Sequence, residues 1–96
     1  MSSLAGQPEG DPAVVHAQLG EIVFMVTGTP VDKMRADAAF VDDLRIDSLS
    51  MVEILEGASR HFGVRIEDEA AKDFVHVHDL VGYISQRLSQ SKGTQR

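Results

Sequence analysis

The sequence contains no cysteine and no tryptophan, and it has one tyrosine and four phenylalanines among its 96 residues. The lack of cysteine excludes disulfides, thiolate catalysis and cysteine-based metal sites. So few aromatic rings give little surface on which the bases of a single-stranded nucleic acid could stack. At this length we expect one domain built around a single hydrophobic core.

Positively charged residues are also scarce: the sequence has 9 Lys and Arg residues against 15 Asp and Glu residues, and its formal net charge is -6. The electrostatic field of a protein with this charge repels nucleic-acid phosphates and attracts basic protein surfaces. The opening residues MSSLAGQPEGDP lack the basic and apolar regions of a secretory leader. No apolar run approaches the ~20 residues of a membrane span. We therefore expect a cytoplasmic monomer with no membrane span, no nucleic-acid partner and protein partners that present basic patches.

The two ends of the chain differ from its middle. Residues 1–11 and 89–96 consist mostly of small and polar residues and show no hydrophobic period. This composition predicts a disordered N-terminal extension over residues 1–11 and a disordered C-terminal tail over residues 89–96. The folded domain is predicted to span residues 12–88.

The first helix has recognisable signals at both ends. Asp11 supplies a capping oxygen before Pro12 at the first helical position, and Gly28 predicts a helix end near Thr27.

Residues 31–46 then show no sustained hydrophobic period, which predicts a long loop anchored to the core by scattered apolar side chains. Those anchors are Val31, Met34, Phe40, Val41, Leu44 and Ile46. A loop of this length in so small a domain is usually functional.

Three further helices follow the loop. Asp47 is a cap for a second helix that ends at Phe62, where Gly63 stops it. Residues 68–74 predict a short third helix, and the apolar spacing over residues 77–88 predicts a fourth. No segment alternates as a strand would. The pattern predicts an all-α fold, a four-helix bundle with a long first loop and a short third helix.

The second helix places an apolar residue on its charged side. On a 3.6-residue wheel the core face contains Met51, Leu55, Ala58 and Phe62, with Val52 and Ile54 at its flanks. Leu49 falls on the opposite side, beside Glu53, Glu56 and Arg60. An exposed leucine next to Ser48 on an acidic surface is typical of a docking site with an apolar anchor. Ser48 lies in the first helical turn, which favours a neighbouring anion, although an isolated Asp-Ser pair is more often a simple cap.

Residues 40–53 read FVDDLRIDSLSMVE. This stretch resembles the signature of the acyl carrier protein family, an acidic-Asp-Leu element followed two residues later by Asp-Ser-Leu and then Val-Glu. The resemblance extends through the fourth predicted helix. The residues of this motif are similar to those of freestanding actinobacterial carriers of fatty-acid and polyketide synthesis.

The resemblance implies that Ser48 carries covalent 4'-phosphopantetheine, which a phosphopantetheinyl transferase takes from coenzyme A. Acyl groups would be bound as thioesters to the thiol of this prosthetic group. The chain would carry them between enzymes of fatty acid, polyketide or related lipid biosynthesis. The chain itself would be no enzyme, with neither catalytic nor metal-binding residues. Acyl-transfer, condensing or acyl-activating enzymes would dock through basic patches onto Asp42, Asp43, Asp47, Leu49, Glu53 and Glu56. Acyl chains would lie between helices, among Val52, Leu55, Ala58, Phe74 and Ile84.

Three residues depart from the family pattern. Arg45 replaces a residue that is often glycine or acidic, and it puts a positive charge into the docking surface. Glu56 occupies a position that is often apolar in the family, which would make the apolar part of the interface smaller. His76 stands where a threonine usually caps the last helix, and it predicts a weaker cap.

Several other functions compete with the carrier hypothesis. An acidic helical module that binds proteins without a prosthetic group is the main alternative. A serine hydrolase would need a base near Ser48, but His61 lies roughly 20 Å along the same helix at ~1.5 Å per residue. His76 and His78 are two residues apart and make a poor metal-binding signature. Peptidyl carriers usually have a glycine pair before the serine, which Arg45 and Ile46 replace.

Overall fold

The computed structural model describes residues 10–94, with side chains described through residue 89. Residues 1–9, 95 and 96, which belong to the two predicted disordered ends, lie outside the described residues. Within the described part the chain is all-α, and its backbone pairing is limited to one isolated bridge between Ala39 and His76. The helices are α1 (Pro12–Thr27), α2 (Ser48–Phe62), α3 (Asp68–Ala71) and α4 (Val77–Thr94). The predicted fold class, with its long first connection and short third helix, is confirmed.

The ends of α1 are set by local capping. The Asp11 side chain accepts a hydrogen bond from the Ala13 backbone N–H at 2.9 Å. Gly28 adopts the left-handed conformation at φ 80° and donates its N–H to the Phe24 carbonyl at 2.7 Å. Both predicted boundaries of this helix are confirmed.

The two ends of α4 differ from the sequence prediction in separate ways. The helix runs to Thr94, past the predicted end at Leu88. The prediction stopped too early because hydrophobic periodicity indicates which residues are buried and not how far the helical backbone hydrogen bonds continue. At its start, Oδ2 of Asp79 accepts the N–H groups of Val75 at 3.1 Å and of His76 at 2.8 Å. The hydrogen bond from His76 is the main cause that lowers the pKa of Asp79. The Asp79 carboxylate, from the first turn of the helix, therefore supplies the cap that the replacement of threonine by His76 was expected to weaken.

The core forms where α1 packs against α2 and α4. Its largest fully buried side chains come from the loop and from these three helices. They are Phe40, Leu19, Ile54, Leu80, Ile84, Val15, Val23 and Val77. In the described part of the chain no helix is both long enough and apolar enough to cross a lipid bilayer.

The core face of α2 is narrower than the helical wheel predicted. Ile54 and Ala58 are fully buried at its centre, and Met51, Leu55 and Phe62 pack against the core as partly buried residues. Val52, predicted to flank this face, is half exposed. The reason is that α1 covers one side of α2, whereas α3 has only four residues with which to cover the other.

The long loop begins with a short 3-10 turn, Val31–Lys33. Met34, Phe40 and Ile46 are buried as predicted, and Leu44 packs against the core. Val31 and Val41 were also predicted to be anchors, but both side chains are more than half exposed. For Val41 the reason is that it follows the buried Phe40 in a tight turn, where neighbouring side chains point in different directions.

The loop is also fastened by backbone hydrogen bonds to the start of α4. Phe40 donates its N–H to the Val75 carbonyl, Val77 donates to Ala38, and His78 donates to Ala36, each at 2.9 Å. These bonds fix the path of the chain that leads into α2. They therefore also help to fix the position of Ser48, the first residue of α2.

Candidate functional site

Ser48 is the first residue of α2, and its side chain is exposed. The preceding Asp47 is the helix cap, and its carboxylate accepts the Ser50 N–H at 2.8 Å. Asp47 also accepts the Met51 N–H through its carbonyl at 2.9 Å. The predicted cap is confirmed, and the Ser48 side chain remains exposed at the N-terminal end of the helix.

The charge of Asp47 is secured by the same hydrogen bonds. The Ser50 backbone N–H and then the Ser50 hydroxyl hold the pKa of Asp47 below its ordinary value of 3.8. The carboxylate is therefore ionised at neutral pH directly beside Ser48.

Asp43 supports the loop that enters the site. Its Oδ2 accepts the Ala39 N–H at 2.7 Å, while Leu44 donates its N–H to the Ala39 carbonyl at 3.0 Å. Ile46 donates to the Phe40 carbonyl at 3.0 Å and closes the turn. Asp43 was predicted only as a docking residue, and the structure adds this internal role.

Arg45 adopts an unusual backbone conformation in this turn. Its φ is 57°, and it is the sole non-glycine residue with positive φ in the described part of the chain. Left-handed backbone costs an L-residue with a side chain ~1–2 kcal/mol. The family's frequent glycine at this position avoids that cost, so the departure at Arg45 has a physical consequence as well as an electrostatic one.

The residues predicted to contact partners lie on the exposed surface around Ser48. We call this set the docking surface: Asp42, Asp43, Asp47, Leu49, Glu53 and Glu56, all of which are exposed. Leu49 has 71% of its surface accessible, as its position opposite the core face predicted. The set combines one exposed apolar side chain with five exposed carboxylates, on the loop and helix residues that precede and follow the exposed Ser48.

Two apolar residues that sequence reasoning assigned to the interior are exposed. Val41, predicted to be a loop anchor, is 62% exposed, and Val52, predicted to flank the core, is 51% exposed. Val52 lies three residues after Leu49, so the two side chains share one face of α2. That spacing was the signal in the sequence that could have placed Val52 beside Leu49.

A groove of about 510 Å³ lies beside α2, toward α3. It has apolar and charged lining, contributed by Val52, Leu55, Glu56, Ser59, Arg60, Ile66, Glu67, Asp68 and Ala71. Of the residues predicted to surround an acyl chain, Val52 and Leu55 line this groove. Ala58, Phe74 and Ile84 are instead buried in the core.

Each of the four histidines makes a contact with a group other than Ser48. His16 hydrogen-bonds to the Met34 carbonyl, and Nε2 of His61 bonds to Oε1 of Gln18 at 3.1 Å. His76 and His78 lie beside the Asp79 carboxylate. The geometry offers no support for a hydrolase in which a histidine activates Ser48.

Comparison with known proteins identifies the family of the chain. The family model described as "Phosphopantetheine attachment site" matches residues 17–84. The chain is 53% identical over 68 residues to an acyl carrier protein of Kineococcus radiotolerans, covering 71% of this chain and 84% of that protein. It is 46% identical over 68 residues to an acyl carrier protein of Thermobifida fusca, covering 71% and 86%. For an acyl carrier protein of Beutenbergia cavernae the values are 48% over 71 residues, 74% and 87%.

The family match defines a protein with a covalent 4'-phosphopantetheine group. The chain belongs to the acyl carrier protein family, and it carries acyl groups on that prosthetic group. Its partners are accordingly a phosphopantetheinyl transferase and enzymes of acyl biosynthesis. The group supplies a flexible arm ending in a thiol that holds acyl chains as thioesters. The exposed Ser48 at the start of α2 fits such an attachment, because a phosphodiester there would be solvated and close to the positive end of the helix dipole.

Proposed function

We propose that Ser48 is the attachment residue for 4'-phosphopantetheine and that the chain is a carrier without catalytic activity of its own. The observation that supports this most directly is the position of Ser48, exposed at the first residue of α2 within the Asp-Ser-Leu sequence. The transferase supplies the base and metal for attachment. The carrier needs only an accessible hydroxyl.

The other serines of the matched region support the choice of Ser48. Residues 17–84 contain Ser48, Ser50 and Ser59. Ser59 donates its hydroxyl to the Val64 carbonyl at 2.6 Å. Ser50 is partly buried and lies under the Asp47 cap. Ser48 is thus the exposed serine of the three.

The docking surface is proposed to meet basic patches on successive partner enzymes, with Leu49 and Val52 as its apolar contacts. Exposed charges at the rim of an interface accelerate encounter more than they tighten binding. A carrier that visits several enzymes needs such rapid and reversible contact. The cytoplasmic location and the monomeric state expected from the sequence remain predictions.

Intact-mass measurement tests the attachment site. The full chain is incubated with coenzyme A and a broad-specificity phosphopantetheinyl transferase, and the modified residue is located by peptide mapping. We expect the wild type to gain one phosphopantetheine at Ser48 and Ser48→Ala to gain none. Because Asp47 remains as the cap, the variant should keep its melting temperature, with stability within about 0.5 kcal/mol of the wild type.

The matched controls are Ser50→Ala and Ser59→Ala, both of which should be modified as fully as the wild type. Modification of Ser48→Ala would show that another residue carries the arm. A wild-type chain that stays unmodified while the transferase loads a reference carrier would overturn the assignment. That result would favour the docking module without a prosthetic group.

A further inference from the structure

Two histidines and an aspartate converge at the start of α4. The rings of His76 and His78 stack with their centroids 5.2 Å apart and their planes 7° from parallel. Nδ1 of His78 lies 3.3 Å from Oδ1 of Asp79, and Nδ1 of His76 lies 3.7 Å from Oδ2. One donor atom from each of the three side chains lies within 4.8 Å of the other two.

We propose that His76, His78 and Asp79 bind one divalent transition-metal ion of the zinc class. Two imidazole nitrogens and one carboxylate oxygen suit Zn²⁺, Co²⁺ or Ni²⁺, whereas Mg²⁺ and Ca²⁺ favour oxygen ligands alone. The sequence showed only two histidines at an unpromising spacing. The third ligand becomes apparent when the Asp79 carboxylate is seen to lie close to the Nδ1 atoms of both rings.

The three side chains need only a small adjustment to share an ion. Ligands at ~2.0–2.2 Å from one metal lie roughly 3–3.5 Å from each other, so a separation of up to 4.8 Å must close by about 1.3–1.8 Å. The side chains of His76, His78 and Asp79 are 43%, 56% and 30% exposed. Their rings can therefore rotate toward the ion without disturbing the core.

The backbone beneath the ligands is already fixed without a metal. Oδ2 of Asp79 is oriented by the N–H groups of Val75 and His76, while Oδ1 faces His78. His78 donates its own N–H to the Ala36 carbonyl at 2.9 Å. Outer contacts of this kind orient metal ligands and raise affinity.

The position also sets a limit on affinity. The positive end of the α4 dipole opposes a cation, and the Asp79 carboxylate together with the net charge of -6 favours one. With three partly exposed protein ligands we expect binding in the micromolar range. Because the ion would bind the folded state, it should also raise the melting temperature.

Isothermal titration of the full chain with ZnCl₂ tests the proposal, with MgCl₂ as the comparison metal. We expect one Zn²⁺ per chain and much weaker Mg²⁺ binding. His76→Ala and His78→Ala should each weaken Zn²⁺ binding at least tenfold. Asp79→Asn, which keeps an oxygen for the helix cap but loses the charge, should weaken it similarly. His61→Ala is the matched control and should bind as the wild type does.

Melting curves without metal establish that each variant folds, and NMR of the imidazole nitrogens and the backbone amides gives a readout on the wild type alone. Zn²⁺ should shift the His76 and His78 signals and leave His61 unchanged. No binding at millimolar Zn²⁺, undiminished binding by His78→Ala, or shifts centred on Asp42 and Asp43 would each overturn the proposal. None of these results depends on whether Ser48 carries the prosthetic arm.

Discussion

Arg45 is the residue at which the site departs from an unstrained backbone, with φ at 57°. Glycine would relieve ~1–2 kcal/mol of left-handed strain but would lose ~0.5–1 kcal/mol in conformational entropy on folding. We therefore expect Arg45→Gly to raise the free energy of unfolding by about 0.5–1 kcal/mol, measured by urea denaturation. Arg45→Ala keeps the Cβ and should give no such gain. A less stable glycine variant would show that contacts of the arginine side chain outweigh the strain.

Asp47 predicts a specific response to acid. Hydrogen bonds from Ser50 lower its pKa in the folded chain, so its contribution to stability is present above the unfolded pKa, near 3.8, and is lost as pH falls through the folded value. NMR titration of the Asp47 carboxyl should give a pKa below 3.8. Asp47→Asn retains a capping oxygen, and it should reduce the stability difference between neutral and acid pH. A measured pKa at or above the ordinary value would contradict the capping geometry.

At the scale of the helices, two glycines predict opposite effects of one substitution. Gly63 ends α2 at φ 68°, and Gly82 lies exposed inside α4; an added Cβ would meet no atom within 4 Å at either position. Gly63→Ala should therefore lower the free energy of unfolding by ~1–2 kcal/mol through backbone strain alone. Gly82→Ala should raise it by ~0.5–1 kcal/mol, because alanine is the better residue inside a helix. Thermal denaturation of the two variants measures both changes, and a shift of the same sign in each would contradict the assigned helix end.

At the scale of the whole molecule, the net charge of -6 predicts how fast partners find the docking surface. Glu53 and Asp42 are the suitable carboxylates to reverse, because Asp43 also holds the Ala39 N–H and Asp47 caps α2. The double variant Asp42→Lys/Glu53→Lys should slow modification by the transferase several-fold with unchanged helicity. Added salt should slow the wild type more than the variant, because ions screen exposed charges beyond ~8 Å at physiological strength.

The control for charge alone is Glu21→Lys/Asp73→Lys, which makes the same change in net charge on exposed residues outside the docking surface. This variant should be modified nearly as fast as the wild type. Equal slowing of both double variants would mean that net charge, and not the docking surface, governs the encounter. Salt-independent modification of the wild type would remove the electrostatic part of the mechanism.

The sequence by itself determined the features that depend on neighbouring residues. Asp11 and Gly28 bound α1, and Asp47 and Gly63 bound α2, because a cap is formed by a residue and the backbone within a few positions of it. The exposed position of Leu49 followed from helical geometry in the same way. Local chemistry was enough for these parts of the site.

Only the tertiary structure decided which residues from separate segments meet. It turned Val41 and Val52 outward, because the turn after Phe40 and the shortness of α3 leave both uncovered. It bound the loop to the start of α4 through Ala36, Ala38 and Phe40. It also placed the Asp79 carboxylate close to the Nδ1 atoms of both His76 and His78, which needs side-chain orientations that residue spacing does not specify. Periodicity identifies the residues of one buried face, but pairing across the fold depends on how the elements pack.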